Sequence, residues 1–82
     1  MSVPLKYEMQ MEKKEKAIEI YQKLIRSYRY LLRKGLTTIA ACEDVEHPDV
    51  AQIVKSYYEE TEEILDRIEH YEERVERLEG KQ

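Results

Sequence analysis

The chain has 82 residues, 39% of them charged, with a formal net charge of −4. No apolar run approaches the roughly 20 residues needed to span a bilayer, and the opening Met1-Ser2-Val3-Pro4-Leu5-Lys6 lacks the apolar core of a signal peptide, so a cytoplasmic location is the expectation. Cys42 is the single cysteine, which excludes an internal disulfide and a thiolate cluster for zinc, and a recurring apolar period argues against disorder.

Charge is unevenly spread. Residues 1–40 hold nine basic and four acidic side chains, net +5, and residues 41–82 hold five and fourteen, net −9. Such asymmetry implies either two helices that neutralise each other when packed, or a basic surface reserved for an acidic partner. There is no Asn, and Glu and Lys are abundant, a composition of the kind reported for hyperthermophile proteins. A chain this short buries only about 60% of its unfolded surface and needs a partner subunit or very regular helix packing to fold.

Ser2 followed by Pro4 has the pattern of a helix start. Met11, Ile18, Ile25 and Leu32 then recur seven apart, with Tyr21 and Tyr28 three beyond two of them, and Ala17, Leu24 and Leu31 widen the stripe on one side. A stripe this wide meets more than one neighbouring helix. Arg33-Lys34-Gly35 reads as an end, with cations at the negative pole of the dipole and a glycine available for a left-handed cap, giving a first helix over about 5–34. Ile39 and Cys42 continue the same phase, so the alternative is a helix that runs on to about residue 45. The break at Gly35 is the reading adopted, with a connection over 35–49 that has room for a short middle helix.

His47-Pro48-Asp49 is the tripeptide that marks J-domain cochaperones, in which it follows a basic helix almost at once. Here the thirteen residues 35–47 separate Lys34 from Pro48, and they include acidic Glu43, Asp44 and Glu46, so the tripeptide reads as a helix start. Asp49 followed by Gln52 has the spacing of a capping box. Beyond it, Val50, Val54, Tyr57, Thr61, Ile64, Ile68, Tyr71, Val75 and Leu78 alternate steps of four and three over four heptads, with Val54, Thr61, Ile68 and Val75 at a. Gly80 closes this second helix, which covers about 50–79. Arg67 and Arg74 fall at g and Glu72 and Glu79 at e, which offers parallel self-pairing of this helix as an alternative. Tyr57, Tyr71 and Thr61 make an indifferent two-stranded seam, so pairing of the acidic helix with the basic one is preferred.

Helix two also carries Glu59, Glu63, Asp66, His70, Glu73 and Arg77, but this set lies opposite the apolar stripe and lacks Glu-x-x-His spacing, so no metal site is assigned. Glu63 with Arg67 and Glu73 with Arg77 read as i,i+4 ladders. There is no glycine-rich phosphate loop and no nucleophile with a base at motif spacing, so no catalysis, cofactor or small-molecule substrate is expected. The most specific surface is on helix one. No acid occurs between Glu19 and Glu43, while Arg26, Arg29, Tyr30, Arg33 and Lys34 cluster, the first four within about 100° of arc on the wheel. Guanidinium groups grip phosphates or carboxylates, and a neighbouring Tyr can stack on a base or an Arg plane.

Together these features predict an all-α, single-domain antiparallel hairpin of two long helices of matched length, buried around Ile25, Leu32, Ile64 and Ile68 and assembling as a dimeric four-helix bundle. The expected role is that of a non-enzymatic homo-oligomeric adaptor or regulator that binds another macromolecule, with a protein partner or DNA or RNA as the candidates. The alternative is DNA or RNA binding through Arg26, Arg29, Tyr30, Arg33 and Lys34, against which the sequence pI of 5.2 weighs.

Overall fold

A computed structural model describes residues 5–80, all of them in helices, turns or the short connection, with no strand. The expected start at Ser2 and Pro4 lies outside the described residues. Helix α1 spans Leu5–Ala41 and helix α2 spans Val50–Glu79, with a single 3-10 turn at Cys42–Asp44 between them. The helices pack antiparallel. Late residues of α1 meet early residues of α2, since Gly35 sits against Tyr57 and Thr61, and earlier ones meet later ones, since Arg29 bonds Glu72 and Tyr21 and Tyr28 flank Tyr71.

The α2 stripe lies where its spacing puts it. Every position of α2 that is not exposed belongs to the Val50-to-Leu78 series, apart from Glu72. On α1 the matching seam is Ile18, Tyr21, Ile25, Tyr28, Leu32, Gly35 and Ile39. Ile25, Ile68 and Val75 are the buried apolar residues, at 7–8% exposure, and Ile18, Tyr21, Tyr28, Leu32, Ile64 and Tyr71 pack around them half-buried. Leu32 and Ile64, expected at the centre of the core, are only half-buried because two helices cover one side of each other and nothing covers the flanks. Tyr71 inserts between Tyr21 and Tyr28, with ring centroids 5.5 and 5.9 Å away. Offset contacts of this kind contribute about 0.5–1.5 kcal/mol each beyond area burial.

The first helix does not break at Gly35. Gly35 keeps a negative φ in mid-helix and faces Tyr57 and Thr61 of the partner helix with room for a Cβ at ordinary contact distance. Just beyond it the hydroxyls of Thr37 and Thr38 donate to the carbonyls of Arg33 and Lys34, both at 2.9 Å, and the Thr61 hydroxyl donates to the Tyr57 carbonyl at 2.7 Å. The one buried hydroxyl of the three, that of Thr61, is thereby satisfied within its own helix. Gly80 does terminate α2: it takes the left-handed conformation at φ 75° and donates its N–H to the carbonyls of Arg77 and Glu76.

The capping box expected at Asp49 is not formed. Asp49 occupies the N-cap with φ −86° and ψ −3°, outside the extended region in which a cap side chain reaches back to the first turn, and its backbone N–H donates to His47 Nδ1 at 3.1 Å. Nor do Glu63 with Arg67 and Glu73 with Arg77 pair among the described residues; Arg67 lies instead over the Tyr28 ring, 5.7 Å from its centroid.

The helices are also unequal, with 37 residues in α1 and 30 in α2. Half-burial on α1 begins at Ala17 and Ile18, so α2 ends level with about residue 18 and the first part of α1 projects beyond it by roughly 20 Å at 1.5 Å per residue. Residues 8–16 are all exposed in consequence, Met11 among them, although the seven-residue phase places it on the stripe. The result is a rod of 71 × 19 × 14 Å. Its accessible surface of 7112 Å² exceeds by about 1,900 Å² the roughly 5,200 Å² of a compact monomer of the same mass.

Candidate functional site

Arg26, Arg29, Tyr30, Arg33 and Lys34 are all exposed on the middle of α1, presented by a helix whose opposite side is tied to α2. They do not form one uniform patch. Arg29 is the residue beside the seam rather than opposite it, and its Nη2 donates to Glu72 Oε1 at 2.8 Å, the one ion pair between the helices among the described residues. The pair is exposed on both sides, which limits its contribution to about 0.2–1 kcal/mol. Its signal was present in the heptad: in an antiparallel pair the e positions of the two helices face each other, and Glu72 stands at e.

Arg26 lies on the same groove as Arg29, opposite Glu72, Glu76 and Glu79. Carboxylates thus stand within the field of two of the five cationic or aromatic positions, and a polyanion approaching from this side meets both signs. Arg26 and Arg33 have no ion pair among the described residues. Lys34 folds back over the Tyr30 ring, with Nζ 5.3 Å from its centroid, so that Tyr30 is occupied by a cation of its own chain. What remains outward is a short row, Arg26, Tyr30 and Arg33, one helical turn apart.

No protein-family model, curated protein or solved structure matches the chain. The site therefore rests on its own chemistry. His70 is exposed with its ring edge-on to Tyr71 at 5.7 Å, and His47 is 3.7 Å from the Asp49 carboxylate at the far end of the hairpin. Among the described residues no three His, Cys, Asp or Glu side chains converge as metal ligands, and no helix is long and apolar enough to cross a membrane. The grooves are open surface channels, one between the helices lined by residues of both signs and one on the projecting part of α1 lined by residues of α1 alone.

The feature that sequence reading underweighted is apolar. Met9, Met11, Ile20, Tyr30, Leu31, Leu36, Val45, Ile53, Tyr58 and Leu65 are exposed in the hairpin, more large apolar side chains than it buries. Apart from Met9 and Met11 on the projecting start, Tyr30 on the outer face and Val45 in the connection, they fall on two flanks. Leu36 stands level with Leu65 on the side of the Arg29–Glu72 pair, and Ile20 and Leu31 lie on the other side. Leu31 shares its groove with Thr38, Tyr57 and Ile64, so the second flank is continuous with the edge of the core.

Proposed function

We propose that the protein is a non-enzymatic helical interaction module that self-associates and, once assembled, presents the Arg26, Tyr30 and Arg33 row to an acidic protein partner. The observation that carries this reading is the ratio of covered to uncovered apolar residues: three are buried, while ten large ones are exposed along a rod with about 1,900 Å² of surface beyond that of a compact monomer. A stable interface of standard size uses about 800 Å² per partner, so the surplus is enough for one. A four-helix bundle made of two hairpins covers apolar flanks of this kind and is the assembly we favour.

Light scattering and sedimentation across a dilution series test self-association, with a dimer expected and a concentration-independent monomer overturning it. Binding of duplex DNA, of RNA and of an acidic polypeptide at low salt tests the partner class. Arg26 and Arg33, unpaired in the hairpin, support the nucleic-acid alternative, and a log–log salt slope of roughly −0.9 per phosphate neutralised, flattened by replacing Arg26, Arg29 and Arg33 with Ala, would establish it. We expect the acidic polypeptide to bind more tightly than nucleic acid, because Glu72, Glu76 and Glu79 line the groove beside Arg26 and repel a ligand with a charge at every phosphate more than a polypeptide of lower charge density.

A further inference from the structure

Helix α1 carries a second seam that α2 does not use. Ala17, Leu24, Leu31 and Thr38 recur at seven-residue intervals, with Ile20, Ser27 and Lys34 three beyond the first three of them, and the set lies about 100° around the helix from the Ile18-to-Ile39 seam. This is the spacing of a coiled-coil interface laid side by side with the first. Ala17, Leu24 and Thr38 are half-buried at its inner edge, whereas Ile20 at 57% and Leu31 at 48% are exposed. No acidic residue falls on it from Ala17 to Ala41. Helix α2 has no counterpart: its own flanking positions on this side are Ile53, Glu60, Arg67 and Arg74.

We infer that this second seam is the homodimer interface, with α1 of one copy packed antiparallel on α1 of another about a twofold axis midway between Ala17 and Thr38. The inference rests on the self-association proposed above and names the face and the orientation. Three observations support it. The seam has heptad periodicity in its own right, which a scatter of exposed apolar residues lacks. The surface surplus of the whole rod, of which this seam is one part, exceeds what a stable dimer of standard size uses.

The third is charge. Parallel pairing in register would set Lys34 against Lys34 and stack the acid-free stretch of residues 20–42 on itself. Antiparallel pairing about this axis shortens that overlap to residues 20–35, brings Lys13 and Lys14 near the second copy's Glu43 and Asp44 with Glu12 also level with Glu43, and sets Leu24 level with the second copy's Leu31. It also gives the projecting segment a neighbour, which its own α2 is too short to provide. The Arg26 and Arg33 positions lie on the far side of α1 and stay open.

Two pairs of matched substitutions test the face. Ile20→Lys with Leu31→Lys is expected to raise the dimer dissociation constant by roughly 100-fold or more, because two desolvated cations replace two apolar anchors. Leu36→Lys with Leu65→Lys, at 48% and 49% exposure on the opposite flank, is expected to leave it within about threefold. All four positions are exposed in the hairpin, and helicity by circular dichroism verifies that each variant folds. A dimer broken by the second pair and spared by the first overturns the interface but keeps self-association; a wild-type monomer at every concentration overturns both.

Orientation is read separately with Cys42→Ser chains, one carrying Ala17→Cys and the other, tagged for size, carrying Thr38→Cys. A short bismaleimide added to the mixture should link the two kinds of chain. Linkage of Ala17→Cys chains to each other alone would overturn the antiparallel arrangement.

Discussion

In α2 the half-buried and buried positions, Glu72 apart, lie on one line of three- and four-residue steps, whereas in α1 they lie on two lines about 100° apart. Both helices use similar apolar residues and make the same hairpin contact, so the contrast is one of neighbours. A helix with one seam has its neighbour in the monomer. A helix with two is one neighbour short, and the residues it leaves in water, Ile20 and Leu31, mark the missing side. Amphipathic width thus reports how many helices a segment is built to touch, which neither its length nor its mean hydropathy shows.

The comparison is broken or sharpened most strongly at Ile68. As a buried member of the single α2 seam, Ile68→Ala is expected to cost about 2–5 kcal/mol in denaturant unfolding at fixed protomer concentration, against within about 0.5 kcal/mol for Glu63→Ala on the solvent side. Equal shifts would mean that α2 does not have one seam. Gly35 comes next, because it tests whether the first seam of α1 runs unbroken. An added Cβ would lie 3.6 Å from Thr61 Oγ1 and 3.9 Å from Tyr57 Cδ1, ordinary contact distances. Gly35→Ala should therefore raise stability by about 0.8–1.0 kcal/mol, the difference in helix propensity; a loss of stability would place a helix end there instead.

The smallest effect is expected at Arg29, which joins the two helices on the flank that the second seam does not use. Arg29→Ala should cost no more than about 0.2–1 kcal/mol, and the cost should shrink as salt is raised. A cost several times larger, insensitive to salt, would show that the ion pair rather than the apolar seam holds α1 to α2.

Much of this architecture was legible in the residues. The α2 seam could be read to the residue because its steps of four and three are uninterrupted from Val50 to Leu78, and Gly80 was read as its cap because nothing beyond it competes. Gly35 misled for a physical reason: local propensity makes glycine after Arg-Lys a terminator, but the position lies on the seam facing Tyr57 and Thr61, and packing there carries the helix through it. The continuing phase of Ile39 and Cys42 was the better guide. At the other end, Met11 was in phase yet exposed, since phase says which way a side chain points and not whether a second helix reaches that far.

The candidate site was legible as a cluster and illegible as a field. Its five members share the surface of α1 as their spacing implies, but which of them is neutralised depends on where Glu72, Glu76 and Glu79 arrive from the other helix, and that is set by hairpin register. The tie between Lys34 and Tyr30, four apart on one helix, was within reach of sequence; the Arg29–Glu72 bond needed the register first.

The projecting start of α1 has a consequence for how order is distributed along the chain. Residues 8–16 have no tertiary cover, and an isolated helix of that length is marginal in water because nucleation is costly. They are helical by propagation from the paired turns beginning near Ile18, so their amides are expected to exchange with solvent far faster than those around Ile25, and trypsin is expected to cut first after Lys13, Lys14 or Lys16. Whatever lies alongside that segment, a second copy or another protein, lengthens the protected helix toward the N-terminus, which makes the position of the exchange boundary a direct gauge of occupancy.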